Sequence, residues 1–340
     1  MKKNKQLLFL IFLPALAIFM QGQSARELSV LNKESTISDA LVHLGEELPN
    51  HARPESDSAV IKRGYELVTL GRTIGPDGKR SKYISKYYVC TSCHNLEQEN
   101  PDLSKVDPQA RLEYASQKGQ KFLPGSGFFG IANRETWYNG DYEKKYGRLV
   151  EKARNSLAEA TQLCATVCSS GRLLEDWELE AILAYYWQNQ IKLKDLELSK
   201  QEWEQLRLAE NKKLAVDLLK SKYVQSSPAT FGQTPANFLN GYEGIEGDFE
   251  NGKKVWELSC MSCHQTDGVS TATFDNSILT FKKFMRHLNQ DHPYNLYKIS
   301  RYGTYADKGK PRYMPLYPKE RLSDKQLEDL RVFIEQKSQK

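Results

Sequence analysis

Apolar residues recur at helical spacing in a few stretches of this chain and are separated by polar sequence broken by glycine and proline, a pattern of helices set among loops. Ile61, Tyr65, Leu67 and Val68 predict one helix, and Trp177, Ile182, Leu183, Tyr185, Tyr186 and Trp187 predict another. Residues 203–219 form a charged amphipathic stretch opened by Ser199-Lys200-Gln201-Glu202, a capping-box pattern, which predicts a connecting helix. Further on, 252–260 read as a front helix. Leu322 then leads into a final helix through the box Ser323-Asp324-Lys325-Gln326, with Leu327, Leu330 and Ile334 as its buried stripe.

The breaks divide the chain. Residues 26–58 are polar and carry Pro49 and Pro54, so they predict a wrapping arm with little core of its own. Ser226-Ser227-Pro228, Pro235, Gly241, Gly244 and Gly247 mark a flexible lead into the last segment. At the start, Lys2, Lys3 and Lys5 precede an apolar run at 7–20, short for a membrane span and long enough for an export signal. The expected division is a signal peptide at 1–25, a first domain at 26–193, a helical linker at 194–235 and a second domain at 236–340, in a periplasmic protein. Membrane attachment follows only if the signal stays uncleaved.

Charge adds little to this picture. The formal charge of +5 becomes +2 when the three signal lysines are removed, so no nucleic-acid or membrane partner is needed to explain it. Cysteine changes the picture more. Six cysteines in an exported chain normally imply disulfides, yet four of them sit in Cys90-Thr91-Ser92-Cys93-His94 and Cys260-Met261-Ser262-Cys263-His264. C-x-x-C-H attaches haem c through two thioethers and offers the histidine to iron, which gives His94 and His264 proximal roles. A zinc ribbon would place its cysteine pairs about 15–20 residues apart, far closer than these. Two covalently bound haem c groups are expected. The repeated order of helix, motif, loops and final helix predicts a mainly α fold of two tandem cytochrome c domains joined by a helical linker.

The distal ligand should come from the loop before each final helix. In the second half that loop holds Arg312-Tyr313-Met314-Pro315-Leu316, so Met314 is the predicted ligand, and a His/Met iron suits electron relay. Met285, His287 and His292 lie too early. Between residues 26 and 192 there is no methionine, so the first haem needs another ligand. His43 and His51 lie upstream in the arm, whereas Cys164 and Cys168 lie just before the final helix. A cysteine thiolate would favour ferric iron and depress the potential. The bland alternative is a short disulfide, although in a helix the Cα–Cβ bonds of residues four apart run parallel and do not converge.

At these positions the chain resembles the diheme thiosulfate dehydrogenases and tetrathionate reductases, whose first domain is related to the SoxA cytochromes. The likeness rests on Gly64-x-x-Leu67, Thr73-Ile74-Gly75-Pro76, Gly130-Ile131-x-x-Arg134 and Cys164 seven residues ahead of Gly171-Arg172. The resemblance implies Cys164 as both haem 1 ligand and catalytic residue. It also implies Arg134 and Arg172 as candidates to hold an anionic substrate such as thiosulfate. Where the family has Arg-Ile-Asn before its cysteine, this chain has Thr161-Gln162-Leu163, and Cys168 stands where the family has serine. Cys168 is thereby open to three roles: a substrate-side thiol, an alternative ligand or a disulfide partner. The competing functions are a non-catalytic diheme electron-transfer protein and a haem-based redox sensor. Lys298, Arg301, Lys308, Lys310, Arg312, Lys319 and Arg321, against Asp307 and Glu320, form a basic run that fits either a docking surface for an acidic redox partner protein or a plain solvated face.

Overall fold

A computed structural model describes residues 31–305 and 313–339, which belong to one compact unit. The expected signal peptide lies outside the described residues, as do Asp307, Lys308, Lys310 and Arg312. The described fold is mainly α. The first half carries α1 (Ile37–His43), α2 (Ser58–Leu70), α3 (Pro108–Lys118), α4 (Tyr142–Tyr146), α5 (Leu149–Arg154), α6 (Leu157–Leu163) and α7 (Asp176–Gln188). The linker forms α8 (Lys200–Leu208) and α9 (Lys212–Ser221). The second half carries α10 (Phe249–Val255), α11 (Met261–His264), α12 (Ile278–Leu288), α13 (Leu296–Tyr302) and α14 (Asp324–Gln339). Among the described residues, β pairing is confined to isolated bridges such as Thr36 with Lys192.

One packing device occurs twice. Gly64 brings α2 against α7 so closely that a Cβ would fall on the carbonyl of Ala181, and Gly252 brings α10 onto the carbonyl of Asp329 in α14 in the same way. Leu67, Val68, Ile182 and Leu183 are buried in the first of these cores, and Val255, Leu327, Leu330 and Ile334 in the second. Tyr65, predicted to face the first core, is exposed instead. The capping boxes at Ser199 with Glu202 and Ser323 with Gln326 both form.

Three expectations need correction. The linker is two helices and not one, because Ala209 adopts a left-handed conformation (φ 49°) and Asn211 then caps α9. The arm does have a core: Leu31, Ile37, Ala40 and Leu44 pack with Leu206, Ala215, Val216 and Leu219 of the linker. Finally, Arg301 and Arg321 do not belong to a basic surface. Both are buried, Arg301 against Asp324 and Arg321 against Glu99. The two halves also share material, since Leu112 and Phe122 are buried in the second core, and Phe122 N–H donates to the carbonyl of Leu258 (2.8 Å).

Candidate haem sites

Both C-x-x-C-H segments present their histidine in one geometry. His94 Nδ1 lies 2.7 Å from the carbonyl of Ser126, and His264 Nδ1 lies 2.7 Å from that of Ala272. A carbonyl only accepts, so Nδ1 carries the proton and Nε2 offers its lone pair, as an axial ligand must. Two residues after each acceptor a phenylalanine stacks on the imidazole: Phe128 at 4.7 Å and 14°, Phe274 at 4.3 Å and 9°. Each phenylalanine N–H returns to the end of its motif, Phe128 to the carbonyl of Asn95 and Phe274 to that of His264. Burial lowers the pKa of both histidines, which keeps the rings neutral.

Cys90, Cys93 and His94 line an open-mouthed, largely apolar cavity. Arg134, Cys164 and Cys168 line it too. Its wall contains buried N–H groups without a partner, Trp137 Nε1 and Arg321 Nε, in an otherwise apolar setting. Haem is a flat apolar ring with two carboxylates. Paired cysteines, a neutral histidine and donors awaiting an acceptor fit that group.

The two further cysteines reach the cavity through a local widening of the backbone. Ser156 caps α6, and after Leu163 the helix opens into one π turn, Cys164–Cys168, closed by the bond from Ser169 N–H to the carbonyl of Cys164 (3.0 Å). Both sulfurs lie on the cavity wall as thiols. Around Cys168 Sγ stand the hydroxyls of Tyr146 (3.6 Å) and Tyr138 (3.7 Å), and the Tyr313 hydroxyl meets that of Tyr146 at 2.9 Å. The Cys164 thiol and these tyrosine hydroxyls hold the pKa of Cys168 below its ordinary range against the opposing effect of burial. Cys164, giving its proton to that bond and buried, is held well above its ordinary range.

Met314 stands in a tethered loop. Its N–H donates to Thr304 Oγ1 (2.7 Å) and its carbonyl accepts from Thr304 N–H (2.8 Å). Three residues on, Tyr317 shares a hydrogen bond of 2.6 Å with Ser259, the residue before Cys260, which fixes this loop relative to the second motif. The two motifs meet directly: Cys263 Sγ lies 3.8 Å from the carbonyl of Ser92.

The structure separates the two candidate arginines. Arg134 lines the cavity and donates to Ser126 Oγ (2.9 Å) and the carbonyl of Gly127 (3.2 Å), so it braces the loop segment that orients His94. Arg172 is not in the cavity wall. Its five donors go to the carbonyls of Tyr83, Leu173 and Lys82 and to both carboxylate oxygens of buried Glu178 (2.6 Å each), which leaves none for a substrate anion. A group that the sequence does not single out lies under the first motif. Glu99 receives Arg321 in a fork (2.8 and 3.0 Å) and the N–H of Gly127 (2.7 Å), with Arg111 at 3.7 Å.

Comparison with known proteins agrees with the second half of this geometry. The cytochrome c family model matches residues 249–338, the segment that contains Cys260, Cys263, His264 and Met314. No curated protein and no solved structure matches the chain. The chain thus carries a cytochrome c domain, whose haem c is covalently bound and whose iron transfers electrons.

Proposed function

We propose that the chain is a periplasmic diheme cytochrome c that couples two thiosulfates to tetrathionate, or runs the reverse reaction. In this reading the chemistry takes place at a haem held by His94 and Cys164, and electrons leave through a second haem held by His264 and Met314. The observation that carries it is the π turn. It sets two thiols into the cavity that contains the first C-x-x-C-H, in a wall without methionine. The repeated histidine, phenylalanine and glycine geometry supports a haem in each half.

Joining two thiosulfates through a new S–S bond releases two electrons. Two haems supply two one-electron acceptors when bound. The chain's own part is to present Cys164 to the substrate sulfur and to surround Cys168 with tyrosine hydroxyls. It also holds the proton of His94 on Nδ1 through Ser126, itself held by Arg134. Arg134 lines the cavity, which supports it over Arg172 as the arginine for an anion.

The test is thiosulfate-dependent reduction of an acceptor by the purified holoprotein, compared with Cys164→Ala, with tetrathionate as substrate for the reverse direction. Activity in the wild type and its loss in Cys164→Ala is the expected result. Inactivity with both compounds overturns the enzyme reading in favour of a diheme electron carrier, for which the 3.8 Å approach of Cys263 to Ser92 would suffice.

A further inference from the structure

The loop that carries Met314 ends, one residue earlier, inside the cavity of the other motif. Tyr313 lines that cavity, and its hydroxyl bonds Tyr146, which in turn bonds Cys168. Its backbone is pinned from the first half as well: the Tyr88 hydroxyl lies 3.1 Å from Tyr313 N and 3.3 Å from Tyr313 O. Lys145 adds a third tie. Its ammonium lies 5.4 Å from the centre of the Tyr313 ring and donates to the carbonyl of Thr304 (3.3 Å), the residue that brackets Met314. Few atoms therefore separate the sulfur of Cys168 from the backbone that aims Met314. Every link is a hydrogen bond or a covalent bond.

We propose that Tyr313 is a positioning residue which couples the state of the Cys168 pocket to Met314 at the second haem, so that a change at Cys168 alters the potential of that haem. A substituent on Cys168, or loss of its sulfur, removes the hydrogen bond between Cys168 and the Tyr146 hydroxyl. Tyr146 and Tyr313 then re-pair, and the shift passes along one peptide unit to the methionine. Coupling of this kind is reciprocal, so reduction of the second haem alters affinity at the Cys168 pocket by the same factor. The inference rests on the reading of Met314 as the ligand of that haem, and not on thiosulfate as the substrate.

The test is a double-mutant cycle read by potentiometric titration of the methionine-ligated haem in the holoprotein: wild type, Cys168→Ala, Tyr313→Phe and the double variant. Cys168→Ala is expected to shift the oxidised-to-reduced ratio of that haem at fixed potential by about fivefold or more in the wild-type background, within the usual range of coupling between sites. In the Tyr313→Phe background the shift should fall below about twofold. A tenfold ratio would read as 59 mV for one electron. Tyr138→Phe, which touches Cys168 but not the Met314 loop, should keep the full effect. Equal shifts in both backgrounds overturn the proposal, because the effect would then be a field acting through space. No shift in either background overturns it too. A wild-type spectrum without methionine ligation overturns the ligand reading itself, a result distinct from an uncoupled titration, and the thiosulfate assay is independent of both.

Discussion

Glu99 offers the sharpest test of how the two halves are joined. Its carboxylate is buried and sits among Arg321, Arg111 and the N–H of Gly127. Burial pushes its pKa up, but the arginines and the backbone bond outweigh burial and hold it at about 2, against an ordinary 4.5. At about 1.4 kcal/mol for each tenfold, that difference is worth roughly 3 kcal/mol. Because the folded-state pKa is depressed, this contribution is complete above about pH 4.5 and is lost as pH falls towards about 2. Glu99→Ala leaves Arg321 and Arg111 buried without their anion, so the expected cost is about 3–5 kcal/mol. Urea unfolding of the holoprotein followed by haem absorbance measures it, and the same experiment on acidification should show Glu99→Gln losing less stability than wild type over that pH window. Replacing Glu99, Arg111 and Arg321 together with apolar residues should recover most of the loss, since the penalty comes from stranded charge. A cost below about 1 kcal/mol for Glu99→Ala, or superimposable acid profiles for wild type and Glu99→Gln, would refute the argument.

Other outcomes follow from the same geometry. Arg172→Met should destabilise the fold by about 3 kcal/mol, because Glu178 is left buried and unpaired, and should leave KM for a sulfur substrate unchanged; a raised KM would restore Arg172 to the site. Met314→Ala should abolish the methionine-ligated haem spectrum and lower the potential of that haem, which spectroelectrochemistry would show. Low-temperature EPR should lose its thiolate-ligated haem signal in Cys164→Ala and keep it in Cys168→Ala, and the opposite pattern would reverse the assignment. Gly64→Ala should cost roughly 3 kcal/mol by forcing α2 away from the carbonyl of Ala181, read as a lowered thermal midpoint.

Several elements could be read along the chain because their determinants are local. The apolar stripes of α7 and α14 and the boxes Ser199 to Glu202 and Ser323 to Gln326 each span only a few residues, and the haem motifs are contiguous. The break between α8 and α9 has no mark in the sequence, because an alanine in a left-handed conformation stands where a glycine would signal it. Pairings such as Glu99 with Arg321 and Tyr313 with Tyr146 join residues far apart in sequence, and no periodicity reports them. Arg301 and Arg321 looked like surface charge for the same reason: a run of basic residues does not disclose which of them has a distant carboxylate. Arg172 shows the complementary limit, since its suitability for an anion depends on donors already spent on three backbone carbonyls and Glu178. Tyr313 alone carried a usable signal, its place beside Met314.

The sharing of Leu112 and Phe122 across the halves has a consequence for biogenesis. These side chains leave the ribosome early, yet their burial waits for Trp256, Leu330 and Phe333, which are made much later. Glu99 and Arg111 likewise wait for Arg321. The early half therefore spends its synthesis with a greasy face and an incomplete charge cluster open to water, the kind of transient surface on which chaperones act. Maturation would then run in a fixed order in time, with Arg321 and the last helix closing both halves late.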